Sequence, residues 1–421
     1  MSSTRIAELA ARIAANTARV NDYLEAHDLP QPSFDLTAAL NGAVPKDAPE
    51  IEAARRCVIQ DTAELGDLMR TPREYLTGFI QNDLLPQQAI TRFNLARSFP
   101  VGSETTFAKM ATFSGLSERD VRKIVRYAIT QRIFTEPRPG VVAHSLVSRL
   151  LAEDAGTHDY VATCADELWP AAAQTCNAMA KWPGSEDVAE TGFALANQTN
   201  LPIYEFLAQH PERERRFAHM MRSFTQGPAF DLRHVTDNYP WGSIGAGTVV
   251  DVGGSQGHAS IALARSFPSL TFVVQDLPAV VDGARAALPP DLTGRVTFAA
   301  HDFFTPQPVH GADVYFLRWI LHNWPDKYCI AILQNLIPAL KAGARVVVCD
   351  AVVPAPGQIP REMERSMRGF DMAMSTIQNA SEREEGEWRA LFEKADRRFG
   401  FVGVEMPKGS GLGLVVVRWD G

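Results

Sequence analysis

Cysteine is scarce. There are five (Cys57, Cys164, Cys176, Cys329 and Cys349), an odd number with no C-x-x-C pair and no Cys/His spacing of a metal site. That argues against a disulfide framework and against a bound metal, and reads as reduced thiols in a cytosolic, cytoplasmic protein. No run of about 18 apolar residues occurs, so no membrane-spanning helix is expected. The N-terminal run MSSTRIAELAARIAAN carries Arg5 and Arg12 and no long apolar core, so it does not read as a secretory signal. Positive charge is also short: 41 Lys and Arg against 49 Asp and Glu leave a net charge of −8. That argues against a nucleic-acid backbone as the main partner. Core material is not lacking, since 46% of residues are hydrophobic and 21% charged over 421 positions, enough for two or three folded domains.

The densest signal is TVVDVGGSQG at 248–257. Its β-branched run reads as a buried strand that ends on Gly253, Gly254 and Gly257, where a chain without Cβ can turn sharply and approach a ligand. A helix with apolar spacing follows at 258–266. A second strand near 271–275 delivers Asp276 nineteen residues after Gly257, where a doubly wound sheet places the carboxylate that holds a ribose. What the loop lacks decides the cofactor. It contains no Lys or Arg to meet a pyrophosphate, and Asp251 stands at the strand end, which suits a cofactor carrying an amine and a sulfonium. The expectation is S-adenosyl-L-methionine.

Along the chain, residues 4–25 and 51–68 have helical apolar spacing and flank a proline-rich connection. Residues 1–92 are read as N-terminal helices whose apolar face needs a partner, with pairing of two copies into a homodimer the preferred use and packing on their own chain the alternative. Residues 93–157 read as a winged helix: helices at 107–114 and 117–131 around Gly115, then a hairpin at 133–144 turning on EPRPG. Its second helix carries Arg119, Arg122, Lys123 and Arg126, a DNA-binding pattern that the acidic total charge disfavours. Residues 158–241 read as a helical linker and substrate-pocket wall, and residues 242–421 as the cofactor domain. Strands are expected near 248–252, 271–275, 296–300, 312–317 and 344–350, with a final pair near 400–406 and 412–418. An aromatic and Met-rich wall suits a flat apolar acceptor. Trp169, Phe193, Met220 and Met221 are candidates for it, with Phe224, Phe370 and Met374.

A second dense stretch is ADVYFLRWILHNWPD at 312–326. A strand feeds a polar loop, and a helix is expected from 327 to 340. His322 then lies near the carboxyl end of a central strand, where open α/β sheets hold ligands. Histidine is the natural general base near neutral pH. A phenol attacking a sulfonium methyl must lose its proton, and the base needs a carboxylate to fix its tautomer. Asp350, after VVVC, and Glu382, in NASERE, are candidates, and Trp324 offers a face for an adenine.

DVGGSQG, VVQDLP, HDFF, LRWILHNWPD, VVVCDAVVP and NASERE, in that order, resemble the caffeic-acid-type O-methyltransferases in their fungal branch. The resemblance spans most of the chain. It implies a Rossmann-like doubly wound α/β methyltransferase domain with a C-terminal antiparallel strand pair, preceded by an α-helical and winged-helix dimerisation domain. It implies that Gly253 and Gly254 face the methionine part of the cofactor, that Asp276, with Leu277 beside it, binds the ribose, and that Asp302 and Phe303 flank the adenine. Arg318 takes the place of a basic residue near the cofactor, and Trp324 lies against the adenine. His322 takes the place of the base, with Asp350 and Glu382 orienting it. Five positions depart from the family pattern: Ser255 for Gly, Asn323 for Asp, Asp350 for the plant-type Glu, and Ala380 and Ser381 for a Gly-Lys pair. The activity implied is methylation of a phenolic or enolic hydroxyl of a polyketide-like secondary metabolite. An alternative comes from the same branch, in which relatives hold the cofactor without spending its methyl group and catalyse pericyclic cyclisation of polyketide–alkaloid intermediates.

Overall fold

The computed structural model describes residues 4–421 except 41, 43, 46, 47 and 79–81. Two compact units emerge. One comprises Met1–Trp169, Pro211–Ser223 and Pro360–Met363; the other comprises Pro170–His210, Phe224–Ile359 and Glu364–Gly421.

In the first unit, helices Arg5–Ala26 and Pro49–Leu68 pack side by side. Arg5 pairs with Glu64 and Arg12 with the buried Asp61, both at 2.7 Å. Helix Phe107–Ser114 ends at Gly115, whose φ of +73° makes a left-handed cap. Helix Glu118–Thr130 starts from Ser117, whose hydroxyl accepts the Asp120 amide. Three short strands, β1 (Glu104–Thr106), β2 (Thr135–Arg138) and β3 (Val141–Ala143), form an antiparallel sheet in the order β1-β3-β2. The hairpin is therefore shorter and later than its apolar residues suggest, because Ile133 and Phe134 are buried in the helical core instead of pairing. β1 carries no sequence signal of its own.

Two of the four basic residues on the second helix are engaged. Arg122 pairs with Glu118 and Arg126 with Glu136, and both guanidinium groups lie over the Phe107 ring. Those charges are neutralised locally and are poorly placed to meet a phosphate backbone.

The second unit is built on a seven-stranded sheet: β4 (Thr248–Val252), β5 (Thr271–Asp276), β6 (Val296–Ala300), β7 (Val314–Arg318), β8 (Arg345–Asp350), β9 (Phe399–Glu405) and β10 (Gly413–Trp419). The order is β6-β5-β4-β7-β8-β10-β9; the first five run parallel, and β10 is antiparallel to both neighbours. Alternate residues supply two cores. Val250, Val252, Tyr315, Leu317, Val346 and Val348 face one way, under helices Asp326–Leu336 and Glu385–Ala395. Val249, Phe272, Val274, Phe316 and Val347 face the other, under helices His258–Ser266 and Pro278–Ala286. Both faces are covered, which is why these strands read as mostly apolar runs without strict alternation. The chain steps outward from β4 to β6, then returns to β7 on β4's other side. That reversal, at the carboxyl ends of β4 and β7, is the point at which doubly wound sheets hold their ligands. The helix expected to reach residue 340 ends at Leu336 and closes in a 3-10 turn, Ile337–Ala339, around Pro338. Among the described residues no helix is long and apolar enough to cross a membrane.

Candidate active site

Four strands bring chemistry to the same edge: Gly253 follows β4, Asp276 ends β5, the His322 loop follows β7, and Asp350 ends β8. The glycine loop is a cradle that side chains would fill. A Cβ on Gly253 (φ +73°) would lie 2.4 Å from Ile320 Cδ1, and one on Gly254 would lie 2.6 Å from Asp251 Cγ. The Gly254 amide donates to the Gln275 carbonyl at 2.9 Å. Ser255 also adopts positive φ, at +50°. The Asp276 carboxylate accepts the Ser255 amide at 2.9 Å and the Leu277 amide at 2.8 Å, which fixes it at the loop's edge. The Leu277 side chain is exposed. Asp251 is buried and accepts the Ser260 hydroxyl at 2.7 Å; burial pushes its pKa up to about 6 despite that bond. The residues fit a cofactor with a ribose and a small polar tail approached by backbone, and no Lys or Arg stands in the loop.

Asp302 accepts the Phe304 amide at 2.9 Å in the turn after β6. Phe303 borders the glycine loop, 3.7 Å from the position of a Gly253 Cβ. Trp324 meets Phe303 and Phe304 edge-on, with ring centroids 6.1 and 4.8 Å away. Behind them Gln275 and Gln307 exchange two buried amide hydrogen bonds, 2.7 and 2.8 Å, which tie the end of β5 to this turn. Arg318 lies elsewhere than a loop position suggests. On the strand's alternation it joins the Val314 and Phe316 side, donates to the Phe230 carbonyl at 3.1 Å, and acts on Asp251 through its charge.

His322 is 1% exposed. Its Nδ1 lies 2.8 Å from Glu382 Oε1, so the network assigns the proton to Nδ1 and leaves Nε2 with its lone pair. Nε2 is buried and has no hydrogen-bond partner among the described residues. The two candidate carboxylates divide the work: Glu382 holds the ring, whereas Asp350 accepts the His322 backbone amide at 3.1 Å. Burial pulls the imidazole pKa down, but the bond to Glu382 and the charges of Asp350 and Glu382 outweigh it, and the net direction is up. Burial raises both carboxyls, against His322, which favours their charged forms. The arrangement is an imidazole whose protonated form is stabilised in a dry setting.

Two residues missed by sequence reasoning shape this site. Arg383, 2% exposed, donates to the Leu321 carbonyl at 3.2 Å, the Trp324 carbonyl at 3.0 Å and Asp326 at 2.9 Å. It thereby clasps the His322 loop to the Glu382 loop. Nothing in SERE distinguishes a buried arginine from a solvated one. Trp319 sits at φ +60° with its ring 4.8 Å from His322. Its place in LRWILHNW was visible, its backbone was not.

Of the candidate pocket residues, Phe370 stacks on Phe224 (5.3 Å, 15°) and faces His322 at 6.2 Å. Met374 is buried on the same helix, Arg361–Gln378. Phe193 is fully buried against the edge of Phe206. Trp169, Met220 and Met221 belong to the first unit.

The family description of an O-methyltransferase domain matches residues 189–398. The grayanic acid biosynthesis cluster O-methyltransferase of Cladonia grayi is 39% identical over 420 residues, covering 99% of this chain and 88% of that one. Among solved structures, OxaC in complex with SAH and oxaline superposes with a TM-score of 0.75 at 20% identity, covering 98% of each chain. A structure described as a pericyclic reaction enzyme superposes with a TM-score of 0.70 at 22% identity, covering 97% of this chain and 99% of that one. At such identities the two structures speak to the fold.

Proposed function

Because this chain belongs to the fungal S-adenosylmethionine-dependent O-methyltransferases of secondary metabolism, we propose that it methylates a phenolic or enolic hydroxyl, with His322 as the base. The cofactor supplies an electrophilic methyl on a sulfonium. The glycine loop approaches its polar tail by backbone, Asp276 takes the ribose hydroxyls, and Phe303 with Trp324 borders the adenine. His322 Nε2 accepts the acceptor's proton while Glu382 steadies the resulting imidazolium. The dry setting raises the weight of that electrostatic support.

The observation that carries this reading is the buried, unpartnered Nε2 on a ring whose other nitrogen is held by a carboxylate. A pericyclase using the cofactor only as a fixed charge has no need of such a base, and the relative at 39% identity is named an O-methyltransferase. His322→Ala should lower turnover by roughly 10²-fold or more. S-adenosylhomocysteine affinity, read by calorimetry, should stay nearly unchanged. A variant that turns over normally removes His322 from the mechanism.

A further inference from the structure

Trp319 carries two costs at once. Its φ of +60° is an uncommon and strained conformation for a bulky side chain. Its indole Nε1 is buried without a hydrogen-bond partner among the described residues. The conformation is held from both sides: the Trp319 amide donates to the Cys349 carbonyl at 3.2 Å, and the Asn323 side chain donates to the Trp319 carbonyl at 2.9 Å. Trp388 also has an unpartnered indole, but its ring lies in the core beneath Arg383, away from any base.

The neighbours of Trp319 indicate which ligand its N–H serves. Ile320, the next residue, turns to the glycine loop. The Trp319 ring instead meets Phe224, Phe230 and His322, with Phe370 stacked between Phe224 and His322. Those rings surround His322, whereas Phe303 and Trp324 pack on each other and on Phe304. Besides the carboxylate oxygens Asp350 Oδ1 and Glu382 Oε2, which also lack partners among the described residues, the site presents two buried, unsatisfied polar atoms on adjacent rings: a donor, Trp319 Nε1–H, and an acceptor, His322 Nε2.

We propose that this pair selects acceptors whose reacting hydroxyl has a second oxygen beside it, namely ortho-hydroxyaryl ketones or esters and enolised 1,3-dicarbonyls. The assignment rests on His322 being the base. In such a molecule the hydroxyl proton is tied up by the neighbouring carbonyl. The indole N–H takes the carbonyl oxygen's lone pair and leaves the hydroxyl proton to His322. The O–H bond breaks toward Nε2, the new O–CH3 bond forms as the S–CH3 bond breaks, and the products are the methyl ether, the neutral thioether and an imidazolium that returns its proton to solvent. Trp319 is a specificity-determining residue in this scheme.

The test uses 2′-hydroxyacetophenone and its 4′ isomer as probes, with the full-length protein saturated with S-adenosylhomocysteine. Wild type should bind the ortho isomer roughly tenfold more tightly, as one hydrogen bond to a buried donor allows, and Trp319→Phe should bring the ratio to within about threefold of unity. In 15N-labelled wild type, the indole resonance absent from Trp319→Phe should move on adding the ortho isomer and stay put with the para isomer. Where Trp319→Phe folds poorly, Trp319→Tyr supplies the assignment, and the resonance is then followed in the wild type alone. An unchanged ratio, or an equal loss for both isomers, makes Trp319 a packing residue and overturns the proposal while leaving the base in place. A resonance that responds to S-adenosylhomocysteine alone places the N–H on the cofactor and also overturns it. A fully active His322→Ala enzyme removes the base reading, and the paired-oxygen site with it.

Discussion

At the scale of single residues, His322, the base of the proposed reaction, is tuned against burial by two carboxylates, Glu382 through a hydrogen bond and charge and Asp350 through charge. Only the neutral imidazole accepts a proton. Activity should therefore fall as pH drops through a value above the ordinary histidine figure of about 6.5, giving an acid limb displaced upward from that of a free histidine. Glu382→Gln removes one of those charges, so the limb should shift to lower pH and the plateau rate should drop on the order of 10²-fold, because the imidazolium loses that support. A kcat/KM profile of the two proteins decides it; a limb that stays in place would show that Glu382 does not govern the titration. Histidine and carboxylates were legible in the sequence because their chemistry is tied to residue type. The division between Glu382 on the ring and Asp350 on the backbone was not, since both lie far from His322 in the chain and only folding assigns each its atom.

At the scale of elements, parallel strands announce themselves because both faces are buried. Residues 248–252 and 296–300 read as strands from their β-branched and apolar content and fold as such. Loops are less legible, because their geometry comes from contacts made elsewhere. Arg383 shows this: its guanidinium joins the loop after β7 to the loop after helix Arg361–Gln378, and its own carbonyl accepts the Val353 amide at 3.0 Å. It positions His322 without touching a reacting group. Arg383→Met removes one partner of a buried ion pair, and such losses cost about 3–5 kcal/mol, at the low end here because Asp326 is one-third exposed. The melting temperature should fall clearly. Arg383→Lys keeps the charge but not the planar fork, so it should fold better yet lose kcat about tenfold with KM little changed. A Lys variant with wild-type kcat would mean that the clasp stabilises the loops without positioning the base.

At the scale of the whole molecule, the N-terminal helices pose a problem that one chain does not solve. Helix Arg5–Ala26 spans 22 residues and buries only Leu9 and Leu24; helix Pro49–Leu68 spans 20 and buries only Ala54 and Asp61. Ile6, Ile59, Leu68, Met69 and Leu76 remain exposed, Leu76 at 77%. Helical stability in water comes mainly from a buried apolar face, and this pair has little of one. We propose that a second copy covers it, as a closed twofold dimer would. The apolar spacing of residues 4–25 and 51–68 showed that a face exists; it could not show how little of that face the chain itself would cover. Light scattering should give twice the 46.2 kDa chain mass at micromolar concentration. Met69→Glu combined with Leu76→Glu should shift the protein toward monomer while sparing the sheet core, since both side chains are exposed in the single chain. A wild type that stays monomeric at every concentration tested leaves those side chains to some other role.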